Sequence, residues 1–348
     1  MIRFLFSLNI VWGIVCLLLY LFEGTDPQKF WIFSIASLII PVSIILNLLI
    51  VFFWLMVHRS YAWLSAVILL VAYPQINKML SWESESSDVR CRQAASLQLM
   101  SFNVFGLRNL KDTSDQTASR NKSQFLAFLR KNDPDVLCVQ ENNLFADEVI
   151  SRSELFPYVH YVINHGAAIY SKYPILDQGL IDFGTNTNSC LWADILVQGR
   201  RARVYSYHLQ SNSITRQVAR LRDEEDEETA RFSLVKQILY KYRKMSMRRA
   251  QQAELINRHV SESPYPCILS GDLNDTPFSY AYKTLAKDRK DSFLECGSGF
   301  GSTYVGLLPG LRIDVILADQ RKLDFCFHRV LQTSYSDHNP VMTRVYFK

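Results

Sequence analysis

Almost unbroken apolar sequence runs from Phe4 to Phe22, and a second apolar run extends from Phe30 to Val57. Each is long enough to cross a bilayer as a helix, which takes about 20 residues. Pro41 and Asn47 inside the second run are tolerated where neighbouring helices surround them. A third apolar stretch, Tyr61 to Tyr73, is short and reaches spanning length only by running past Pro74 to about Leu80. A cleavable signal peptide competes for the first run, but no small-residue cleavage site precedes the second. The pattern predicts a membrane anchor over residues 1–80, with three spans rather than two.

Orientation follows from Lys and Arg in the short loops. Arg3 and His58-Arg59 are basic, whereas the first loop sets Glu23 and Asp26 against Lys29. The N-terminus and second loop are therefore expected on the cytoplasmic side. Three spans send the rest of the chain outward, as in a bacterial inner-membrane protein facing the periplasm, whereas two would keep it inside.

Residues 81–95 are polar, without apolar periodicity, and read as a linker. From Ser96 to the end, short apolar runs alternate with polar segments, the pattern of a layered mixed α/β fold. Strands are expected at Leu97–Phe102, Asp135–Gln140, Gly166–Tyr170, Cys190–Val197, Arg203–Tyr207, Leu311–Leu317 and Val341–Phe347. Another ends the apolar run Cys267 to Leu269. Helical spacing over Ser123–Arg130 stops at Pro134. A helical insertion near 212–247 follows, with Phe232, Val235, Leu239, Tyr242 and Met245 on one face behind an acidic cluster, Asp223 to Glu228. It reads either as an amphipathic helix packed on the domain or as a lid or membrane-facing element.

Composition narrows the chemistry. A net charge of +5 over 348 residues does not by itself argue for nucleic acid. The seven cysteines form no CxxC pair, which disfavours zinc and redox motifs. Cys138 and Cys267 lie in apolar runs and read as buried small hydrophobes. Polar groups collect instead at strand ends: Asn103, Glu141, His208, Asp272, Asn274, Asp314, Asp337 and His338. In an extended segment, alternate side chains share a face, so Asp272 and Asn274 point the same way. Asp314 inside an apolar strand needs a partner, and the Asp337-His338 loop supplies one. Hard oxygen donors such as Glu141 suit Mg²⁺ or Mn²⁺, and the set suits metal-assisted phosphoester hydrolysis.

The ordered series SFNVFG, DVLCVQEN, GAAIYSKYPI, VYSYHLQSN, ILSGDLNDTP, LRIDVILAD and SDHNPV resembles the endonuclease/exonuclease/phosphatase superfamily over residues 96–348. That resemblance implies a four-layer α/β sandwich, two mixed sheets face to face with helices outside. It implies Glu141 as metal ligand with Asn103 beside it, and Asp337 as a further ligand. Asp272 and Asn274 match the pair that positions water and contacts phosphate. Asp314 and His338 match the carboxylate–imidazole pair, with the imidazole as base or phosphate stabiliser. His208 matches the proton donor of the deoxyribonuclease and sphingomyelinase branches. The substrate implied is a phosphoester, in nucleic acid or in a lipid head group. HLQS resembles sphingomyelinase-like members, and an anchor brings the site close to lipid. The rival from another class is a catalytically silent membrane binding module.

Overall fold

The computed structural model describes residues 1–348 except 84–89, 111–114, 186, 213–227 and 307–309. Contacts divide the chain into two units. The first comprises Met1–Leu80, Asn212–Ala250 and Asp275–Lys283; the second comprises Ser81–Ser211, Gln251–Asn274 and Thr284–Lys348.

The first unit is built on helices α1 (Ile2–Leu21), α2 (Ala36–Val57), α3 (Ala62–Val71) and α4 (Tyr73–Met79). Among the described residues, Ile2–Leu21 and Trp31–Val57 are the two helices long and apolar enough to cross a membrane. The third apolar stretch is helical on both sides of Ala72, with Pro74 in the first turn of α4, where its missing N–H costs no hydrogen bond. Several polar side chains of these helices point inward and pair with one another. Tyr20 Oη lies 3.0 Å from Ser43 Oγ, Ser65 Oγ donates to Asn9 Oδ1 at 3.1 Å, and Asn47 Nδ2 donates to Cys16 Sγ at 3.3 Å. Val11, Leu49, Phe52 and Leu70 are exposed on the outside. At one end Phe6 stacks on Tyr61 with centroids 4.1 Å apart; at the other, Lys78 pairs with Glu23.

Two six-stranded mixed sheets form the second unit. Its strands are β1 (Ser96–Asn103), β2 (Val136–Gln140), β3 (Tyr158–Tyr161), β4 (Ala168–Ser171), β5 (Ile175–Asp182) and β6 (Ser189–Val197). They continue with β7 (Arg200–His208), β8 (Cys267–Asp272), β9 (Arg289–Asp291), β10 (Asp314–Asp319), β11 (Leu323–Val330) and β12 (Val341–Phe347). The sheet orders are β11-β12-β1-β2-β4-β3 and β9-β10-β8-β7-β6-β5. Leu97, Leu99, Val136, Cys138 and Ile169 of the first sheet share one core with Leu191, Ala193, Val204, Ile268 and Ile316 of the second. On the other face of the first sheet, Met100, Phe102, Leu137 and Val139 pack on Phe125 and Leu129 of α5 (Asp115–Asn132) and on Val149 and Ile150 of α6 (Leu144–Ser151). The end of α7 (Glu228–Ser261) covers the second sheet, where His259 Nδ1 lies 2.9 Å from Tyr205 Oη. Helix, sheet, sheet and helix form the expected sandwich. Strands buried on both faces lose the alternation of a half-buried strand, and β2 is buried throughout.

Several details depart from the pattern along the chain. Strands β3, β5 and β11 carry no clear alternation in sequence, and all three lie at or beside sheet edges. Strand β10 starts at Asp314, three residues later than its apolar run. Of the face expected on α7, Tyr242 is buried, whereas Phe232, Val235 and Leu239 are exposed. Cys91 and Cys326 form a disulfide across 235 residues, which their spacing did not announce.

Candidate active site

Strand register assembles the site. Asp272 at the end of β8 pairs with His208 in the parallel neighbour β7 and with Asp314 in the antiparallel neighbour β10. On the facing sheet, parallel β1 and β2 pair Asn103 with Gln140, so Glu141 follows beside it. The two sheets meet through Asn103, whose Nδ2 donates to Asp272 Oδ2 at 3.0 Å and to Glu141 Oε1 at 3.2 Å. Its Oδ1 accepts the Phe105 amide at 3.0 Å. Asn103 thus stands as the donor that orients two carboxylates.

Asp272 is fully buried, and its Oδ1 accepts the Asn274 amide at 2.7 Å. Asn274 Nδ2 donates to Leu209 O at 2.9 Å and reaches Asp272 Oδ2 at 3.3 Å. Glu141 and Asn274 both adopt a φ of 51°, a left-handed conformation that is costly for a non-glycine residue and concentrates at functional sites. Asn tolerates this conformation better than Glu does.

His208 Nδ1 lies 3.2 Å from the Thr187 carbonyl and 3.4 Å from Asn188 Nδ2, and the shorter contact, to an oxygen that only accepts, favours the proton on Nδ1. Nε2 then faces Asp272 Oδ2 at 3.7 Å and Glu141 Oε1 at 3.9 Å, buried and without a hydrogen-bond partner among the described residues. His338 Nδ1 lies 2.8 Å from Asp314 Oδ2, and its Nε2 is 3.9 Å from Asp272 Oδ2. Burial opposes charge on His338, but Asp314, Asp272 and Asp337 outweigh it and push the imidazole up to about 10. Burial pushes the Asp272 carboxyl up, and the charge of Asp314 adds to that. Asp337 is raised by burial against the pull of His338, and it feels Glu141 as well.

Asp272, Asp314 and His338 offer ligand atoms within 4.8 Å of one another. Within that trio His338 and Asp314 hydrogen-bond each other, and Asp272 Oδ2 stands 3.9 Å from His338 Nε2. Glu141 keeps 31 % of its side chain exposed and has Asp337 in its field. An open carboxylate such as Glu141 suits a hard divalent cation, because Mg²⁺ binds through one or two carboxylates and keeps its waters. Asp314 Oδ1 and His208 Nε2 are buried without partners among the described residues, as groups awaiting a ligand would be.

Four supporting residues were not singled out in the sequence. Asn188 Nδ2 donates to Leu209 O at 2.9 Å, Thr303 Oγ1 accepts the Asp314 amide at 3.1 Å, and Ser336 Oγ donates to Asn103 O at 2.7 Å. Tyr304 meets His338 edge-on at 5.1 Å. All four lie in loops, where periodicity gives no signal. A cavity of about 340 Å³ lined by Cys267, Lys287, Arg289 and Lys322 opens at the start of β8, the opposite end of that strand from Asp272.

Residues 100–338 match the Endonuclease/Exonuclease/phosphatase family, and residues 2–79 match a domain of unknown function, DUF8431. No curated protein sequence matches the chain. Among solved structures, humanized D. rerio TDP2 is similar with a TM-score of 0.54 at 16% identity, over 72% of this chain and 99% of that one. D. rerio TDP2 complexed with single-strand DNA product gives 0.53 at 16%, over 72% and 99%. The endonuclease/exonuclease/phosphatase from Bacteroides vulgatus gives 0.52 at 17%, over 73% and 99%.

Proposed function

The chain belongs to the endonuclease/exonuclease/phosphatase family, and on that premise we propose a membrane-anchored, divalent-metal-dependent phosphodiesterase with its catalytic unit outside the cytoplasm. Members of the family are hydrolases of phosphoester bonds, and this chain is an enzyme of that class. The observation that carries the reading is the convergence of His208, Asp272, Asp314 and His338, with His208 Nε2 and Asp314 Oδ1 left without partners among the described residues.

Glu141 and Asp337 would hold the cation, with Asn103 orienting the Glu141 carboxylate. A cation bound there neutralises charge developing on the phosphoryl oxygens. Asp272, held by Asn103 and Asn274, orients the attacking water and draws on its proton. His338, fixed through Nδ1 by Asp314, presents Nε2–H to a phosphoryl oxygen. His208 in its imidazolium form, with Nδ1–H held by the Thr187 carbonyl, gives its Nε2 proton to the departing oxygen as the P–O bond breaks, leaving a phosphomonoester and an alcohol.

Three spans support the outward placement. Phe6 stacks on Tyr61 at one end of the anchor, and Glu23 pairs with Lys78 at the other, so the stretch from Tyr61 to Lys78 returns to the end where α1 finishes. Polar residues face inward and apolar ones outward, as suits helices packed in lipid. The Cys91–Cys326 disulfide fits an oxidising compartment.

A lipid head group is the first substrate reading. Trp82 is 81% exposed two residues beyond the end of the anchor, and it pairs with Ser298, beside Phe300 at 64% exposure. An exposed aromatic ring that follows a membrane anchor so closely along the chain belongs at the interface. Nucleic acid is the second, on the strength of the single-strand DNA product held by D. rerio TDP2.

The full-length protein in nanodiscs should be assayed with Mg²⁺ or Mn²⁺ against sphingomyelin, plasmid DNA and bis-p-nitrophenyl phosphate. We expect metal-dependent turnover, lost on chelation and lowered by about 10²–10⁴-fold in His338→Ala and His208→Ala. No turnover of any substrate, whether or not His338 is present, would leave the binding module standing.

A further inference from the structure

We propose that the first half of α7 is an amphipathic clamp that lies on the bilayer surface and engages anionic lipid head groups. The proposal rests on the membrane-anchor reading of the first unit and goes beyond it by assigning a surface and its partner.

Helix α7 is fastened to the start of α2 by a buried polar cluster inside the first unit. Tyr242 Oη lies 2.5 Å from Ser37 Oγ and donates to Ser34 O at 3.1 Å. Ser37 Oγ donates to Asp275 Oδ1 at 2.9 Å, and Arg249 Nη2 donates to Asp275 Oδ2 at 2.7 Å. The Arg243 guanidinium sits 5.0 Å from the Trp31 ring centre. Ser34 and Ser37 belong to the end of the helical bundle that also carries the Glu23–Lys78 pair, where α2 would leave the hydrocarbon for the head groups. The cluster therefore holds α7 at interfacial depth.

Ahead of Tyr242 the helix buries Leu234 and leaves a different face open. Phe232, Val235 and Leu239 share this open face with Lys236 and Arg243, within an arc of about 100° at 3.6 residues per turn. Phe232 is 73% exposed, and Tyr240 beside this arc is 66% exposed. An apolar stripe of this kind in water is costly and marks a contact surface. Aromatic and aliphatic side chains flanked by Lys and Arg suit the boundary between acyl chains and anionic head groups. A bilayer is already at that level, and the basic flanks complement anionic lipid, so lipid is the occupant to which the surface is fitted.

The test uses the full-length protein in vesicles of phosphatidylcholine alone or with phosphatidylglycerol at about 7:3, carrying an environment-sensitive NBD label at one introduced cysteine. The positions are Leu239→Cys on the open face, Gln237→Cys on another, and Leu49→Cys in the second span. The five free native cysteines are buried, and the unmutated chain provides the labelling blank. The label at 239 should emit to the blue of that at 237 and be quenched several-fold more by doxyl lipid, most strongly with phosphatidylglycerol present. Lys236→Glu should erase the phosphatidylglycerol increment while leaving hydrolysis of bis-p-nitrophenyl phosphate unchanged. A water-like label at 239 with the label at 49 in lipid would overturn the clamp alone. A label at 239 shielded from water yet indifferent to doxyl lipid would overturn it in favour of a protein contact. A water-like label at 49 would sink the anchor and the clamp together.

Discussion

His328 shows how burial dominates a residue's chemistry. It lies on β11, with Nδ1 2.9 Å from Ser292 Oγ, and it meets the Phe293 ring edge-on at 5.5 Å. Burial pushes its imidazole down to about 4, against the raising effect of Asp291. In the unfolded chain a histidine titrates near about 6.5, so between about 6.5 and 4 the unfolded state binds more protons and stability rises with pH. The contribution is fully present above about 6.5 and is lost as pH falls toward 4, by up to about 3 kcal/mol. Urea midpoints of the detergent-solubilised protein should fall across that window, and His328→Gln should flatten the fall. Parallel slopes for the two proteins would count against this account. The strand-end residues of the active site were legible because polar groups interrupt apolar runs there. His328 was not, since nothing in LDFCFHRV marks which of its side chains face inward.

At the scale of elements, the site depends on three adjacent strands keeping register. Gly271 lies between Tyr207 and Val315, and a Cβ there would stand 2.0 Å from the Tyr207 carbonyl oxygen. Gly271→Ala must therefore push β7 away from β8, and with it His208 away from Asp272. Overpacking of this kind costs about 1–3 kcal/mol. Turnover should fall further than stability, because a misplacement of about 1 Å in a catalytic group can cost about 10²-fold. Equal urea midpoints and equal rates for variant and parent would show that the strand pair yields without consequence. The series of motifs made these strands readable; the parallel and antiparallel pairing that sets His208 and Asp314 on either side of Asp272 was not, because pairing joins segments with no local signal in common. Helix α7 makes the same point. Its spacing announced an amphipathic helix, but Tyr242 alone of the apolar residues first grouped on its face is buried, through a serine more than 200 positions away.

For the whole molecule, the Cys91–Cys326 bond closes a loop of 235 residues, which places it at the favourable end of disulfide stabilisation. Cys91→Ser with Cys326→Ser should lower unfolding stability by about 2–4 kcal/mol, and reductant should do the same to the parent protein alone. In spheroplasts, added protease should reach the catalytic unit before lysis, and the disulfide should appear as a mobility shift between reducing and non-reducing gels. A catalytic unit protected until lysis, with its cysteines reduced, would reverse the orientation.

By itself the sequence determined the class of fold, the membrane-length helices and the identity of the polar strand-end residues, all of which local periodicity and motif order record. Only the tertiary structure decided which strands lie side by side, that Asn103 donates to Glu141 and Asp272 where the resemblance had set it beside a metal ligand, that Cys91 finds Cys326, and which face of α7 stays open. Each of these is a choice between distant partners, and the free energy that makes the choice, from burial, hydrogen-bond satisfaction and strand pairing, exists only once the segments have met.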